Sequence, residues 1–314
     1  MIIVKRIARI GLSVLVLTPL AGGRARAQTD FSGEWAGNLH EDIGHRFDNP
    51  NPAAAGGIHG GGGPQIGDYA GLPINGAARL KADSWDASIM TLREHQTIPG
   101  PAAYWARGGG PLRISKVVDD ATQQTVAFKI YRAAMGGSVT RLIWMDGRPH
   151  PPDYAAHTWE GFSTGTWEGN MLTVETTHVK AGWIQRNGVP ASDRATITEH
   201  IVRHGDYMTI VSVVQDPIYL EEPLVRTTTW TLALGQELGA VSNEIVDEIA
   251  GRSPAYVPHH LPGANANLME FAESAGLPFA AARGGRDTMY PEYQLVLKEL
   301  MAKTKKNSQK KDTQ

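Results

Sequence analysis

Cysteine is absent from the 314 residues of the chain, which excludes a disulfide framework and lipid attachment at a signal-peptide cysteine. A membrane helix is not expected either, because no segment beyond the N-terminus approaches the ~20 consecutive apolar residues that a bilayer span needs. An excess of positive charge is also missing, since the formal net charge is −2. We therefore expect no membrane insertion and no nucleic acid partner.

The N-terminus has the composition of a secretory signal peptide. Basic residues at positions 5, 6 and 9 precede an apolar stretch over residues 10–21, and Ala25-Arg26-Ala27 forms a small-x-small cleavage site. This pattern predicts a signal peptide over residues 1–27 and a mature chain that begins at Gln28. The mature protein is expected to be periplasmic or secreted.

Apolar and polar residues alternate with a period of two over much of the chain, which is typical of half-buried strands. The alternating segments are residues 111–118, 125–132, 139–145, 158–167, 171–178, 195–204, 207–215 and 225–234. Short glycine turns at Glu168-Gly169-Asn170 and His204-Gly205-Asp206 are of the kind that close hairpins. The sequence therefore predicts a mainly β fold, an antiparallel meander barrel of about eight to ten strands.

Residues 28–250 are predicted to form the barrel domain. Residues 48–76 are rich in glycine, proline and alanine and follow neither period, which predicts an irregular excursion or a flexible loop. Residues 251–303 are expected to form an extended strap and helices packed on the barrel, one capped by Asn267 and one whose inward side chains are Tyr293, Val296, Leu297 and Leu300. Residues 304–314 are predicted to be a disordered tail.

The segment Asp146-Gly147-Arg148-Pro149-His150-Pro151-Pro152 carries a candidate catalytic loop. Its prolines restrict the backbone and fix the directions of an acid, a guanidinium and an imidazole at a strand end. In this hypothesis His150 transfers a proton, Asp146 orients it and Arg148 stabilises an anion. In the alternative interpretation, Arg148 pairs with Asp146 and His150 caps a backbone carbonyl.

Glu199 and His178 are further catalytic candidates. Glu199 lies between Ile197 and Ile201 on one strand face, and an inward position would raise the pKa of its carboxyl, as a general acid or base requires. Alternatively it pairs across the sheet with one of Arg194, Arg203 or Arg226. His178 ends the neighbouring predicted strand, at the same rim as the His150 loop if its face is interior.

Aromatic residues are expected to supply the substrate-binding surface, and Trp144, Trp159 and Tyr219 are the candidates. No metal site is predicted, because the histidines follow neither an HExxH nor a His-x-His spacing. No organic cofactor is predicted either, since Walker and dinucleotide fingerprints are absent. The Gly161-Phe162-Ser163-Thr164-Gly165 segment matches a nucleophile elbow, but a hairpin pattern follows it where that motif needs a helix.

Several motifs in a fixed order resemble a family of secreted bacterial proteins. Its DFSGxW, MDGRPHP, GxSxGxWEGDxLxVET, TERxxR and DPxxYxxP motifs correspond to residues 30–35, 145–151, 161–176, 198–203 and 216–223 here. The resemblance implies export and a β-rich fold, and Gly33-Glu34-Trp35 is also similar to the first strand of lipocalin-like barrels. This chain lacks the cysteines that the family usually shows near residues 95–99 and 241–244, and has Asn170 where an aspartate is common.

These features favour an enzyme that uses cofactor-free acid/base chemistry, such as a lyase, an isomerase or a hydrolase. Its expected ligand is a small, partly apolar molecule, aromatic or isoprenoid-like, held in the barrel cavity. The alternative functions are a non-catalytic lipocalin-like carrier of a hydrophobic ligand and an envelope interaction protein.

Overall fold

Nine strands close into a barrel in the computed structural model of the chain. The structure describes residues 29–38, 65–92, 95, 98–106, 110–134, 137–238, 253 and 256–311. The strands are β1 (Gly33–Asn38), β2 (Leu112–Val118), β3 (Thr125–Ala134), β4 (Gly137–Trp144), β5 (Phe162–Glu168), β6 (Met171–Thr177), β7 (Gly182–Gln185), β8 (Val189–Ala191), β9 (Thr196–His204), β10 (Tyr207–Gln215) and β11 (Leu224–Leu232). The signal-peptide prediction lies outside the described residues.

The structure describes two helices between β1 and β2 in the sequence and three after β11. They are α1 (Gly76–Asp83), α2 (Ala102–Trp105), α3 (Glu270–Ser274), α4 (Phe279–Ala282) and α5 (Tyr293–Lys311), with 3-10 turns at Ala87–Thr91, Ala266–Met269 and Gly285–Met289. Among the described residues, no helix is both long enough and apolar enough to span a membrane.

The strand order around the barrel is β1-β11-β10-β9-β6-β5-β4-β3-β2, and β7 pairs with β8 in a separate ribbon. The predicted mainly β barrel with C-terminal helices is confirmed, and both predicted glycine turns close hairpins. One neighbouring pair, β4 with β5, is parallel, so the barrel is mixed rather than a pure meander. This pair is joined only at Ile143–Ser163 and Trp144–Thr164.

Apolar side chains fill one half of the barrel. Trp35 is fully buried there, and its indole N–H donates to the carbonyl oxygen of Phe31 at 2.9 Å. The ring of Phe31 stacks on Trp167, with centroids 5.6 Å apart. Strand alternation directs Ile201, Met208 and other apolar side chains into the same cluster. The glycine two residues before Trp35 adopts a φ of +141°, a conformation open mainly to glycine.

A second apolar cluster closes the other end of the barrel. It joins α1, α2 and the β7–β8 ribbon to the ends of β9, β10 and β11. Tyr69, Leu72 and Ile74 are buried in it, so the end of the predicted glycine-rich excursion contributes to the core. Periodicity does not reveal this burial, because an irregular backbone shows neither the helical nor the strand period. Residues 48–64 of that excursion lie outside the described residues.

The C-terminal helices form a third cluster, which is tied to α1 by charge. Asp83 accepts two hydrogen bonds from Arg283, at 2.6 and 2.5 Å, and one from the Tyr69 hydroxyl at 2.8 Å. Burial and the adjacent Asp83 raise the pKa of Tyr69 above its usual value. The helical segment is thus anchored to the barrel cap by a charge-assisted network.

Details of the predicted helices differ from the structure. The capping side chain is Asn265 rather than Asn267, because its Oδ1 accepts the Asn267 N–H at 3.0 Å. Val296 is 46% exposed, whereas Tyr293 packs in the cluster as predicted. Helix α5 continues to Lys311, into the segment 304–314 for which the sequence predicts a disordered tail.

Gly161, just before β5, is required by both conformation and space. Its φ is +69°, and a Cβ would lie 2.5 Å from the Thr177 carbonyl oxygen. We expect Gly161→Ala to lower the free energy of unfolding by about 3 kcal/mol. Gly147→Ala is the matched control, with a φ of +73° and nothing within 4 Å, and should cost only about 1 kcal/mol. Urea unfolding of both variants checks this, and equal losses would contradict it.

Candidate functional site

The β5–β6 hairpin separates two groups of polar side chains. Ser163 and Thr176 face each other across the hairpin and are buried. Because side chains alternate along a strand, Thr164 and Thr177 project from the opposite face. The interior group contains Glu199, and the outer group contains His150. The predicted catalytic residues are therefore divided between the two sides of the sheet.

An ion pair crosses the barrel interior between its two apolar clusters. Arg141 Nη2 lies 2.5 Å from Glu199 Oε2, and both residues are 5% exposed. Arg141 also donates from Nε to Ser163 Oγ at 3.0 Å and from Nη2 to Thr176 Oγ1 at 2.7 Å. Burial alone would raise the pKa of Glu199, but Arg141, assisted by Arg132, lowers it below its usual value. Glu199 is held as a carboxylate.

A second acidic group, Glu160, lies next to this pair. Its Oε1 accepts a hydrogen bond from the Trp105 indole at 3.1 Å, and its Oε2 is 3.6 Å from Arg132 Nη1. The latter distance allows electrostatic attraction but is too long for a hydrogen bond, so Oε2 has no hydrogen-bond partner. Burial raises the pKa of Glu160 above its usual value, in spite of Arg132 and Arg141.

A cleft of about 350 Å³ opens where β4 and β5 diverge. The two strands pair only at Ile143 and Trp144, so the preceding part of β4 stands apart from the segment before β5. The lining residues are Pro99, Val139, Thr140, Arg141, Leu142, Trp144, Thr158, Trp159, Glu160, Gly161 and Phe162. The cleft thus combines aromatic side chains with one guanidinium and one carboxyl group from the interior network.

The position of Trp105 beside Glu160 follows from local structure. The Ala102 N–H at the start of α2 donates to the Trp159 carbonyl oxygen at 2.9 Å, which fixes the short helix against the segment that carries Glu160. Trp105 also stacks on Arg132, whose Cζ is 5.2 Å from the ring centroid. One indole therefore contacts both members of the Arg132–Glu160 pair.

His150 lies on the outer face of the hairpin, beside the cleft wall. Its Nδ1 is 2.7 Å from Thr177 Oγ1 and its Nε2 is 2.8 Å from Thr164 Oγ1. Its ring makes an edge contact with Phe162, with centroids 5.3 Å apart. Burial lowers the pKa of His150, against the attraction of Glu175. His150 is therefore neutral over most of the physiological range.

Thr177 links His150 to His178. The Thr177 hydroxyl is 2.7 Å from His178 Nδ1, and His178 Nε2 is 3.0 Å from the Pro152 carbonyl oxygen. Since a carbonyl only accepts, His178 donates from Nε2 to Pro152. In that tautomer His178 Nδ1 accepts from the Thr177 hydroxyl, and the Thr177 oxygen in turn accepts from His150 Nδ1. This chain of bonds holds the proline loop against the hairpin. Both imidazoles have their nitrogens occupied.

Asp146 does not orient His150, contrary to the catalytic hypothesis. It forms an ion pair with Arg148, with 2.9 Å between Asp146 Oδ1 and Arg148 Nε and 2.5 Å between Oδ2 and Nη2. The Arg148 guanidinium lies 3.5 Å from the centroid of the Trp144 ring. The alternative interpretation is correct about this pair but wrong about His150, which contacts hydroxyl groups rather than a carbonyl.

The other predicted site residues are one catalytic candidate, Glu199, and three candidates for substrate binding, Trp144, Trp159 and Tyr219. Glu199 points inward as one interpretation predicted, but its predicted raised pKa is wrong because Arg141 outweighs burial. Its ion-pair partner is Arg141 rather than Arg194, Arg203 or Arg226. Trp144 and Trp159 line the cleft. Tyr219 does not, because it packs on the apolar cap and its hydroxyl lies 3.4 Å from Lys81 Nζ.

Sequence reasoning missed Glu160, Arg132 and Arg141. The two arginines occupy inward positions in phase with Ile130 and Ile143, a pattern that could have identified them. Glu160 belongs to the first of two Trp-Glu-Gly repeats, and only the second forms a hairpin turn. Ser163 is part of a regular strand and hydrogen-bonds to Arg141, so no nucleophile elbow is present at that serine.

In the described part of the chain, no three His, Asp or Glu side chains are grouped closely enough to hold a metal ion. No protein-family model matches the chain, and the comparison with curated proteins finds no match. The function therefore has to be argued from the geometry of the cleft.

Proposed function

We propose that the chain is a small-molecule enzyme of the lyase or isomerase type, with Glu160 as the proton-transfer group in the β4–β5 cleft. The observation that supports this best is a carboxyl group that is 8% exposed, has a raised pKa and lines the cleft. A carboxyl with a perturbed pKa in a concave site is a typical general acid or base.

The contacts of Glu160 assign a role to each of its oxygens. The Trp105 indole only donates, so Oε1 must accept that hydrogen bond. A proton on Glu160 therefore resides on Oε2, the oxygen that has no hydrogen-bond partner. Arg132 at 3.6 Å favours the ionised form, whereas burial favours the neutral form. These opposing effects act on one carboxyl group, and burial prevails, so that the pKa of Glu160 lies above its usual value.

We assign the proton-transfer role to Glu160 rather than to His150. His150 is hydrogen-bonded through both nitrogens and faces away from the interior network. It supports the site through its contact with Phe162, which is part of the cleft wall. The proposed ligand stays partly apolar and aromatic, because Trp144, Trp159 and Phe162 line the cleft. Export and membership of the secreted family remain predictions from the sequence motifs.

Proton transfer can be tested without knowing the complete reaction. Ligands are first selected by quenching of tryptophan fluorescence, and each is then incubated with the protein in D2O while deuterium uptake at carbon is followed by NMR. We expect exchange with the wild type, and we expect Glu160→Gln to slow it by about 10²- to 10⁴-fold. Ligand affinity should change much less.

Glu168→Gln is the matched control, because Glu168 belongs to the other Trp-Glu-Gly repeat and is exposed. It should exchange at the wild-type rate. His150→Gln tests the earlier hypothesis, since loss of exchange there, together with normal exchange in Glu160→Gln, would contradict the proposal. Binding without exchange of any ligand would instead identify a carrier.

A further inference from the structure

We infer that the ligand of the cleft is an anion, whose carboxylate or similar planar oxyanion is bound by Arg132 and Arg141 beside Glu160. This inference rests on the proposed function for the location of the site. It adds the chemical class of the substrate, namely a small organic acid with an aromatic or other apolar body.

Arg132 has more hydrogen-bond donors than the described residues satisfy. Its side chain is 8% exposed, and within the described part of the chain its contacts are the Glu160 carboxyl at 3.6 Å and the face of Trp105. Neither is a hydrogen bond. A guanidinium carries five N–H donors, and burying polar groups without partners is unfavourable by ~1–3 kcal/mol each. A guanidinium that is buried to this extent and has no hydrogen bond to the described residues is suited to bind an added acceptor.

Arg141 supplies donors from within the cleft lining. Its Nε and Nη2 are engaged by Ser163, Thr176 and Glu199, whereas its Nη1 makes no hydrogen bond to the described residues. Arg132 lies directly behind the lining, because its ladder partner is Val139 and its nearest charge is Glu160. A ligand group next to Glu160 would lie between the two guanidiniums.

The charges in this layer favour an anion over a neutral acceptor. Arg132 and Arg141 are opposed by Glu199, which is held as a carboxylate, and by Glu160. When Glu160 carries its proton, one positive charge is in excess in a water-poor environment. A carboxylate neutralises this charge and matches the planar guanidinium fork, whereas an amide of the same shape provides only the acceptor.

Matched acids and amides test the inference directly. Benzoate, cinnamate and 1-naphthoate, and their primary amides, are titrated into the full-length protein by calorimetry at constant ionic strength. We expect at least one acid to bind the wild type about tenfold or more tightly than its amide, a factor that corresponds to 1.4 kcal/mol. In Arg132→Gln this ratio should fall close to one, while affinity for the amide changes little.

Two further variants separate charge and shape from general effects. Arg132→Lys keeps the charge but loses the fork, so it should retain only part of the preference. Arg113→Gln is the matched control, since Arg113 is an exposed arginine of β2 that pairs with Glu34, and should keep the full preference. Near-UV circular dichroism confirms that each variant is folded.

The inference is overturned if the wild type binds the amides as tightly as the acids, or binds none of the six compounds at millimolar concentration. It is also overturned if Arg132→Gln retains the preference. These outcomes are distinct from failure of the proposed function. Preference for acids without deuterium exchange supports the anion site and refutes proton transfer. Glu160-dependent exchange without that preference supports proton transfer and refutes the anion site.

Discussion

Arg141→Met is expected to lower the free energy of unfolding by about 3–5 kcal/mol, because it leaves Glu199 buried without its counter-charge. Glu199 accepts its hydrogen bond from Arg141 at 2.5 Å, and Ser163 and Thr176 lose the same donor. The double variant Arg141→Met/Glu199→Met should recover most of the loss, since removing both partners leaves no carboxylate at position 199 without its counter-charge. Urea unfolding of the wild type, the single variants Arg141→Met and Glu199→Met, and the double variant gives the coupling energy.

The effect of Arg141→Met should also depend on pH. In the wild type the pKa of Glu199 is lowered, so its ion pair stabilises the fold above the unfolded-state pKa of about 4.3 and ceases to do so as the pH falls further. In Arg141→Met, burial alone acts on Glu199 and favours its protonated form. The difference between the two proteins should therefore shrink from pH 7 towards pH 4. A difference that stays constant over this interval would contradict the assigned ion pair.

Asp216→Ala is expected to lower the free energy of unfolding by roughly 3–4 kcal/mol, because one buried carboxylate is the acceptor for four donors. Asp216 accepts the Ser192 N–H and hydroxyl at 2.6 and 2.8 Å, and the N–H groups of Ile218 and Tyr219 at 2.9 and 3.2 Å. It thereby joins the loop after β10 to the end of β8. Without it, these donors are left unsatisfied in the barrel cap.

Thermal and urea unfolding measure the loss, and Asp206→Ala serves as the control. Asp206 is an exposed residue in the turn between β9 and β10, and its substitution should change stability by less than about 0.5 kcal/mol. Asp216→Asn keeps the shape of the side chain but removes its charge. One carboxylate oxygen is replaced by an amide nitrogen, which cannot accept a hydrogen bond from Ser192. If Asp216→Ala proves as mild as Asp206→Ala, the hydrogen-bond assignment is incorrect.

The barrel could be predicted from the sequence because half-buried strands have a local signature. Residues 195–204 and 207–215 alternate over most of their length and meet at a glycine turn, and the structure pairs them as β9 and β10. The parallel contact of β4 with β5 could not be predicted, because it joins segments that are separated by an irregular loop. The β7–β8 ribbon was missed because its strands are too short to show a period.

The site was predictable only in part, for a related reason. The bond between Asp146 and Arg148 is local, and one of the two interpretations included it. Arg132 and Arg141 lie on the β3–β4 hairpin, whereas Glu160 joins them from the segment before β5 only when that strand meets β4. Glu160 lies in the segment 158–167 that alternation predicts as a strand, but it precedes β5, which begins at Phe162. Its position therefore depends on the contact with Trp105, which is distant in sequence.

The short parallel contact between β4 and β5 also bears on how the molecule folds. The hairpins β2–β3, β3–β4, β5–β6 and β9–β10 are local and can form early, whereas parallel strands require a long connection to be ordered before they meet. Until β5 lies beside β4, the sheet has two free edges, and the two sides of the cleft belong to separate parts of the chain. If β5 joins β4 last, ring closure also brings Glu160 to Arg141, and the cleft between these strands is complete only in the closed barrel.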